Sequence, residues 1–343
     1  MFGPAHLPLL PLMVWSLIAG RLGAADVTLF GMGKGQQFAQ SVGSAPVLLA
    51  SNAFTFQALV LARTNGVVTN ATFKISTSPT VERQLTNTGS GTLWRYEDFA
   101  NTQSQLDATY PTGNTFSRPT YTFTMHTVND GTRAVVLDFW IQWPLLAISY
   151  PPTPQISNLS AAQQIDHTRD FTLQWNSLGG SPLTLVQLTV LDAASNVVFA
   201  SPTPFSPGAL DGTSTSIVIP AFSLPPGAAL TGRLTAANTG LPNTNSYPGA
   251  TGIATLAKDT QFPMTTRPAP PAPRLRLLAV SGSQVQLLAT DLETNRLYHL
   301  QRSTNLAAWV NVALTNPPVT AVQFNDVPPP GPAKAYYRLR IGQ

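Results

Sequence analysis

The chain has no cysteine in 343 residues. Disulfides, thiol nucleophiles, thiolate metal sites and a lipidated N-terminal cysteine are therefore excluded together. Charge is nearly as scarce: Asp, Glu, Lys and Arg make up 10% of the residues, against roughly 25% in an average soluble domain. Histidine occurs only as His6, His126, His167 and His299, so no H-x-H or H-x-x-x-H metal pair can form. A phosphate loop of full G-x-x-x-x-G-K-[ST] spacing and a G-x-S-x-G nucleophile elbow are both missing. The apolar run Leu7–Ala19 is too short to span a bilayer, and Pro8 and Pro11 interrupt it.

That run is informative in another way. It is followed by Gly23-Ala24-Ala25, small residues at the −3 and −1 positions of a secretory cleavage site. Residues 1–25 are predicted to be a signal peptide, and the mature chain to begin at Asp26. The expected localisation is secreted or at the cell surface, with no membrane anchor in the mature chain.

Hydrophobic residues are 43% of the sequence, enough to build a core. Thr, Ser and Asn do the solubilising, which suits strand surfaces because a β-branched Thr fits the pleat. Net charge is +4, unevenly placed: residues 26–150 hold seven basic and seven acidic side chains, 151–271 four and five, and 272–343 seven and three. No basic run interleaved with aromatics accompanies this excess, so a nucleic-acid partner is not expected.

Two proline clusters divide the chain, Pro144 to Pro154 and Pro263 to Pro273. Such segments favour extended spacers and do not continue a sheet. They predict three modules, at 26–148, 155–267 and 273–343. In the first, Tyr121, Phe123 and Met125 alternate with Thr122, Thr124 and His126, and Asn129-Asp130-Gly131 follows as a hairpin turn to Arg133–Ile141. Phe54–Ala62 and Val67–Ile75 read as an earlier hairpin around Asn65-Gly66. A short helical turn is expected at Asn101–Tyr110 with Asn101 as its cap. The predicted fold class is all-β, three consecutive β-sandwich-type modules.

In the second module, Phe171-Thr172-Leu173-Gln174-Trp175 resembles the second strand of a fibronectin type III-like domain, whose Trp lies in the core. The segment Leu224-Pro225-Pro226-Gly227 through Leu230, Arg233 and Leu234 to Ala236 resembles that family's turn and strand, with Leu230 where the family has a Tyr. The resemblance implies that Trp175 and Leu230 share one core. The third module, with Tyr298-His299-Leu300-Gln301, Trp309, Phe324-Asn325-Asp326 and Tyr336-Tyr337-Arg338-Leu339, resembles a short β module at the end of many exported bacterial proteins. It is expected either to pack on its neighbour or to be tightly built around Trp309 and Phe324.

The candidates for chemistry are few. His126 lies on a Thr face beside a hairpin and reads as a solvated strand residue. Glu97 and Asp98 are adjacent, so on a strand they point to opposite faces. Asp291 and Glu293 sit in a turn with too few oxygens for a calcium site. Asp166 and Asp170 read as turn residues. Gly31-Met32-Gly33-Lys34-Gly35 reads as a turn at a strand edge. Trp140 and Trp143 are expected at the joint between modules. Trp94 and Tyr96 alternate on one strand face with Asp98 and are the candidate glycan contacts if exposed; the alternative is that they fill the core.

No catalytic, cofactor or metal site is predicted. The leading expectation is a secreted, non-enzymatic protein for surface display, adhesion or matrix contact, its partner a polysaccharide or another extracellular protein. The alternatives are a carbohydrate-binding accessory protein and, less well supplied with acids and bases, a hydrolase.

Overall fold

The computed structural model describes residues 25–342 except 89–90, 114–116, 142–145, 180–183, 205, 270–271, 295 and 331–333. The expected signal peptide up to Ala24, together with Trp143, Pro144, Pro270 and Pro271, lies outside the described residues. The chain is all-β and divides into two compact units, one ending at Arg267 and the other beginning at Pro268.

The first unit opens with β1 (Val27–Ala39), β2 (Val47–Leu48), β3 (Phe54–Ala62), β4 (Val68–Ile75), β5 (Ser78–Gln84), β6 (Thr86–Asn87) and β7 (Leu93–Ala100). Helix α1 (Gln103–Thr109) follows, then β8 (Tyr121–Thr127), β9 (Gly131–Leu137), β10 (Trp140–Ile141), β11 (Leu146–Ala147) and the single turn α2 (Leu159–Ala162). It continues through β12 (Phe171–Gln174), β13 (Thr184–Leu191), β14 (Val197–Ala200), β15 (Leu210–Asp211) and β16 (Ser216–Ile219). Two long strands, β17 (Ala229–Thr239) and β18 (Thr251–Thr265), end it. A ten-stranded sheet runs β14-β13-β17-β18-β1-β3-β7-β6, with β15 on β13 and β2 on β1; a four-stranded sheet runs β5-β4-β8-β9, and β12 pairs with β16.

The large sheet crosses the expected boundary between residues 148 and 155. β18 is the reason. From Thr251 to Gln261 it runs parallel to β1 (Leu29↔Thr251 to Ala39↔Gln261), and from Thr255 to Thr265 it lies antiparallel to β17. Ala254 and Leu256 enter a first core with Phe30, Phe56, Phe73, Tyr121 and Phe123. Phe262 and Met264, on the same face of the same strand, enter a second core with Trp175, Leu188, Leu230 and Leu234. Two cores are thus stitched by one strand. Tyr247, Ala250, Ala254 and Leu256 belong to the first of them although they lie within the sequence span of the second. Pro263 lies inside β18 rather than in a spacer, just beyond the last β1 partner, where a missing N–H costs no ladder bond on that side.

β1 corrects the reading of Gly31–Gly35. This is the middle of a thirteen-residue central strand, not a turn. Glycine is usually a punctuator, but here Gly31, Gly33 and Gly35 occupy one face while Phe30, Met32 and Lys34 point to the core side. On that other face the sheet carries buried polar groups, including Gln57, Gln187, Thr255 and the ion pair Arg233–Asp259. Close approach explains two more strand glycines. A Cβ on Gly252 would fall 2.4 Å from the Phe30 ring, and one on Gly232 would fall 2.3 Å from the Phe262 ring.

β8 and β9 form the expected hairpin, and Gly131 has φ +70 in its turn. The earlier pair is corrected: β3 bonds to β1 and β7, whereas β4 bonds to β5 and β8, so Asn65-Gly66 connects two sheets. α1 is capped one residue later than expected. The Thr102 hydroxyl accepts from the Gln105 N–H at 3.2 Å. Trp175 and Leu230 are buried in one core, and the Trp175 indole N–H donates to the Ser214 carbonyl at 2.8 Å.

The second unit contains β19 (Arg274–Ser281), β20 (Gln284–Thr290), β21 (Tyr298–Ser303), β22 (Val310–Thr315), β23 (Val322–Asp326) and β24 (Tyr336–Ile341). They form two three-stranded sheets, β19-β20-β23 and β22-β21-β24. Val285, Leu287, Tyr298, Leu300 and Phe324 make the core. Trp309 does not join it. The ring is half-buried, and the Arg338 guanidinium lies over it at 4.0 Å, a cation–π contact that removes the need for burial.

Candidate functional site

Trp94 and Tyr96 do share a strand face. On β7 they stand opposite Val60 and Ala58 of β3, with Asp98 opposite Phe56. That face is the core side. Both rings are half-buried and pack against the first core. The Tyr96 ring meets Phe73 edge-on at 5.2 Å. The Tyr110 hydroxyl donates to Asp98 at 2.6 Å, which leaves Tyr96 to donate to Tyr110 at 2.8 Å. Burial, with Asp98 next, pushes the Tyr110 phenol far above its ordinary range, so it stays a neutral donor. The Trp94 indole N–H is buried without an acceptor among the described residues. The cavity beside this cluster, lined by Asp98, Asn101, Gln105 and Thr109, holds about 210 Å³, below the several hundred Å³ usual for ligand sites.

The remaining titratable candidates are kept apart. His126 Nδ1 lies 3.0 Å from the Thr132 hydroxyl, and His167 meets the Phe222 ring edge-on. Glu97 turns to the side of the sheet opposite Asp98, where Gln57 donates to it and Arg95 pairs with it. Asp291 and Glu293 pair with different arginines, Arg274 and Arg296. Asp166 accepts from the hydroxyl and N–H of Thr168, which hold its carboxyl below the usual range, and Asp170 accepts from the Ala221 N–H. Among the described residues no group of three His, Asp or Glu could hold a metal. Among the same residues no helix is long and apolar enough to cross a membrane.

Sequence reasoning missed two places. The first is Lys34, whose side chain is fully buried on the core side of β1 and pairs with Asp107 on α1. Its signal was the alternation Phe30-Met32-Lys34, hidden by the glycines between. The second is a groove of about 760 Å³ within the second unit, lined by Leu275, Leu277, Val280, Leu287, Pro329 and Tyr337. Leu277 and Val280 are 56% and 63% exposed. They lie on β19, which pairs with β20 alone among the described strands and so leaves its other backbone edge open.

No protein-family model matches the chain, and no curated protein matches it. Solved structures do, at low similarity. The FN1–FN3 domains of chicken CNTN1 share 11% identity, with 90% of this chain and 99% of that chain covered and a TM-score of 0.21. A structure from a 1.5-MDa bacterial ice-binding adhesin shares 11%, with 80% of each chain covered and a TM-score of 0.23. The BSP domain of a biofilm-associated protein shares 9%, with 94% of this chain and 65% of that chain covered and a TM-score of 0.20. No functional statement follows from likeness at this level.

Proposed function

We propose that this chain is an exported, non-enzymatic contact protein of the display or adhesion type, and that its contact surface is the groove beside β19. The observation that carries the reading is the pairing of that groove, with its exposed Leu277 and Val280, with an open strand edge. The volume of about 760 Å³ is in the range of real ligand sites. The lining joins Leu, Val and Pro side chains to the polar groups of Ser283, Lys334 and Tyr337, and the adjacent edge offers N–H and C=O groups that pair with no other strand among the described residues. An extended polypeptide segment of an extracellular partner, with apolar side chains toward Leu277 and Val280, satisfies both by adding a strand and seating alternate side chains. Export rests on the Leu7–Ala19 run and Gly23-Ala24-Ala25.

The test is retention of the purified full chain on extracellular matrix from the producing cells. Saturable retention is expected, abolished by protease treatment of the matrix and lowered at least tenfold in the double variant Leu277→Glu, Val280→Glu. Equal retention of that variant overturns the groove. Loss on glycosidase rather than protease treatment, together with loss in Trp94→Ala, favours a carbohydrate-binding accessory protein instead. Turnover on glycosidase, esterase or protease substrates overturns the non-enzymatic reading.

A further inference from the structure

The first core holds a primary amine that the display or adhesion reading does not use. Lys34 lies in the middle of β1 with its side chain 0% exposed. Its cross-strand neighbour is Phe56, on which the Tyr110 ring stacks at 3.9 Å and the Tyr121 ring at 5.8 Å. The Nζ atom has two partners among the described residues. One is the Asp107 carboxylate and the other is the Tyr110 carbonyl oxygen at 2.9 Å. Gln103 donates to Asp107 Oδ1 at 2.9 Å and is itself the acceptor for the Gln36 amide at 2.9 Å.

An ammonium carries three N–H donors, and this site offers acceptors for two. Burial drives the Lys34 amine down from its ordinary value, and the pairing with Asp107 works against that. An amide nitrogen, by contrast, carries one hydrogen and would aim it at the Tyr110 carbonyl. The surroundings therefore fit a different covalent state better than they fit a lysine salt bridge.

We propose that Lys34 and Asp107 condense to a side-chain isopeptide bond that ties β1 to α1. A proton first passes from the Lys34 ammonium to the Asp107 carboxylate, leaving a neutral amine against a carboxylic acid. The Nζ lone pair forms a bond to Asp107 Cγ. A second Nζ proton then moves to the departing hydroxyl, the Cγ–O bond breaks, and one water leaves. The amide nitrogen keeps the third hydrogen, so atoms and charge balance without a cofactor, oxidant or external base.

The protein's contribution is to hold a fully buried Lys34 amine against the Asp107 carboxyl, which turns a slow bimolecular condensation into an intramolecular one. Gln103, hydrogen-bonded to the reacting carboxyl, is a positioning residue. The Asp107 side chain is 44% exposed, which gives the released water a way out. The bond would close a loop between positions 73 residues apart. In a chain without cysteine it supplies the covalent constraint that a disulfide gives elsewhere.

Intact-mass and peptide mass spectrometry of the purified full chain tests this. The expected mass is lower than the sequence mass by one water. Trypsin should leave Lys34 uncut and yield the Lys34 peptide joined to the peptide beginning at Tyr96, which carries Asp107. Lys34→Arg keeps a cation opposite Asp107 but cannot form the bond; it should have full mass, no joined peptide and a lower unfolding temperature. Gln103→Ala should accumulate unlinked chain that converts slowly. Full mass with cleavage after Lys34 in the wild type overturns the proposal. A missing water that persists in Lys34→Arg also overturns it.

Discussion

The two cores of the first unit share β18 and little else in chemistry. The first is lined by rings (Phe30, Phe56, Phe73, Tyr110, Tyr121, Phe123, Tyr247) whose hydroxyls, with the Lys34 amine, must find partners inside it. The second is mainly aliphatic, with Val186, Leu188, Val190, Ile219 and Leu234 around Trp175. Its ion pair, Arg233–Asp259, sits on the opposite face of the sheet with side chains 3% and 6% exposed. Asp107, the partner of Lys34, instead reaches solvent. Buried polar groups stabilise only when every donor and acceptor is matched. The first core thus depends on its hydrogen-bond partners and the second on packed volume.

The largest effects should come from the enclosed pair. Asp259 is pushed up by burial, and Arg233 pulls it back down, so each ion depends on the other. Asp259→Ala leaves a buried guanidinium and should cost about 3–5 kcal/mol. Chemical denaturation of the full chain measures it, and a loss near zero would mean that the pair is solvated. Trp175→Ala follows, at about 3–5 kcal/mol for a large-to-small change in a packed core. A loss below about 1 kcal/mol would contradict its burial.

The glycines sharpen the same comparison, because each core has one beneath an aromatic ring. Gly232→Ala drives a methyl into Phe262 and Met264, and Gly252→Ala drives one into Phe30 and Leu137. Each should cost about 1–3 kcal/mol by overpacking. If Phe262→Leu relieves the Gly232 variant, the clash itself is the cause.

How much of this the sequence disclosed follows from how local each signal is. The alternation Tyr121-Phe123-Met125 and the Asn129-Asp130-Gly131 turn are neighbours in the chain, and both read correctly. Gly31–Gly35 reads as a turn because glycine looks like punctuation, although Phe30, Met32 and Lys34 alternate with those glycines at a period of two. Asn65-Gly66 marks a turn faithfully but does not say whether the chain returns to the same sheet. The parallel pairing of β1 with β18, more than two hundred residues away, has no local trace. Neither has the meeting of Lys34 with Asp107. Trp94 and Tyr96 were placed on one face correctly, yet alternation alone cannot tell a core face from a solvent face.

A smaller effect is expected in acid. Burial raises the Asp26 carboxyl, but hydrogen bonds from the Asn129 side chain and the backbone N–H groups of Asn129 and Asp130 outweigh it, leaving it below 3.8. A carboxyl lower in the folded than in the unfolded chain contributes stability above its unfolded pKa and loses it as pH falls through the folded value. Stability should therefore decline below about pH 4, and Asp26→Asn should flatten part of that decline. Asp166 shifts in the same direction through Thr168, so the difference between the two proteins is the quantity to read. Identical acid profiles would remove Asp26 from the account.

The smallest predicted effect concerns α1, which carries Asp107 toward Lys34. Seven residues form no stable helix alone, so the helix depends on its cap and on Leu106, which is buried in the first core. Thr102 accepts from the Gln105 N–H at 3.2 Å, and the Gln105 side chain reaches back to the Asn101 N–H at 3.2 Å. Together they approximate a capping box. Only the Thr102 side chain caps; Asn101 contributes its backbone. Thr102→Ala should therefore cost about 1 kcal/mol, Thr102→Ser close to nothing, and Asn101→Ala close to nothing. The reverse order would return the cap to Asn101. Equal, negligible losses would mean that Leu106 and the Lys34–Asp107 contact hold the helix without help from its first turn.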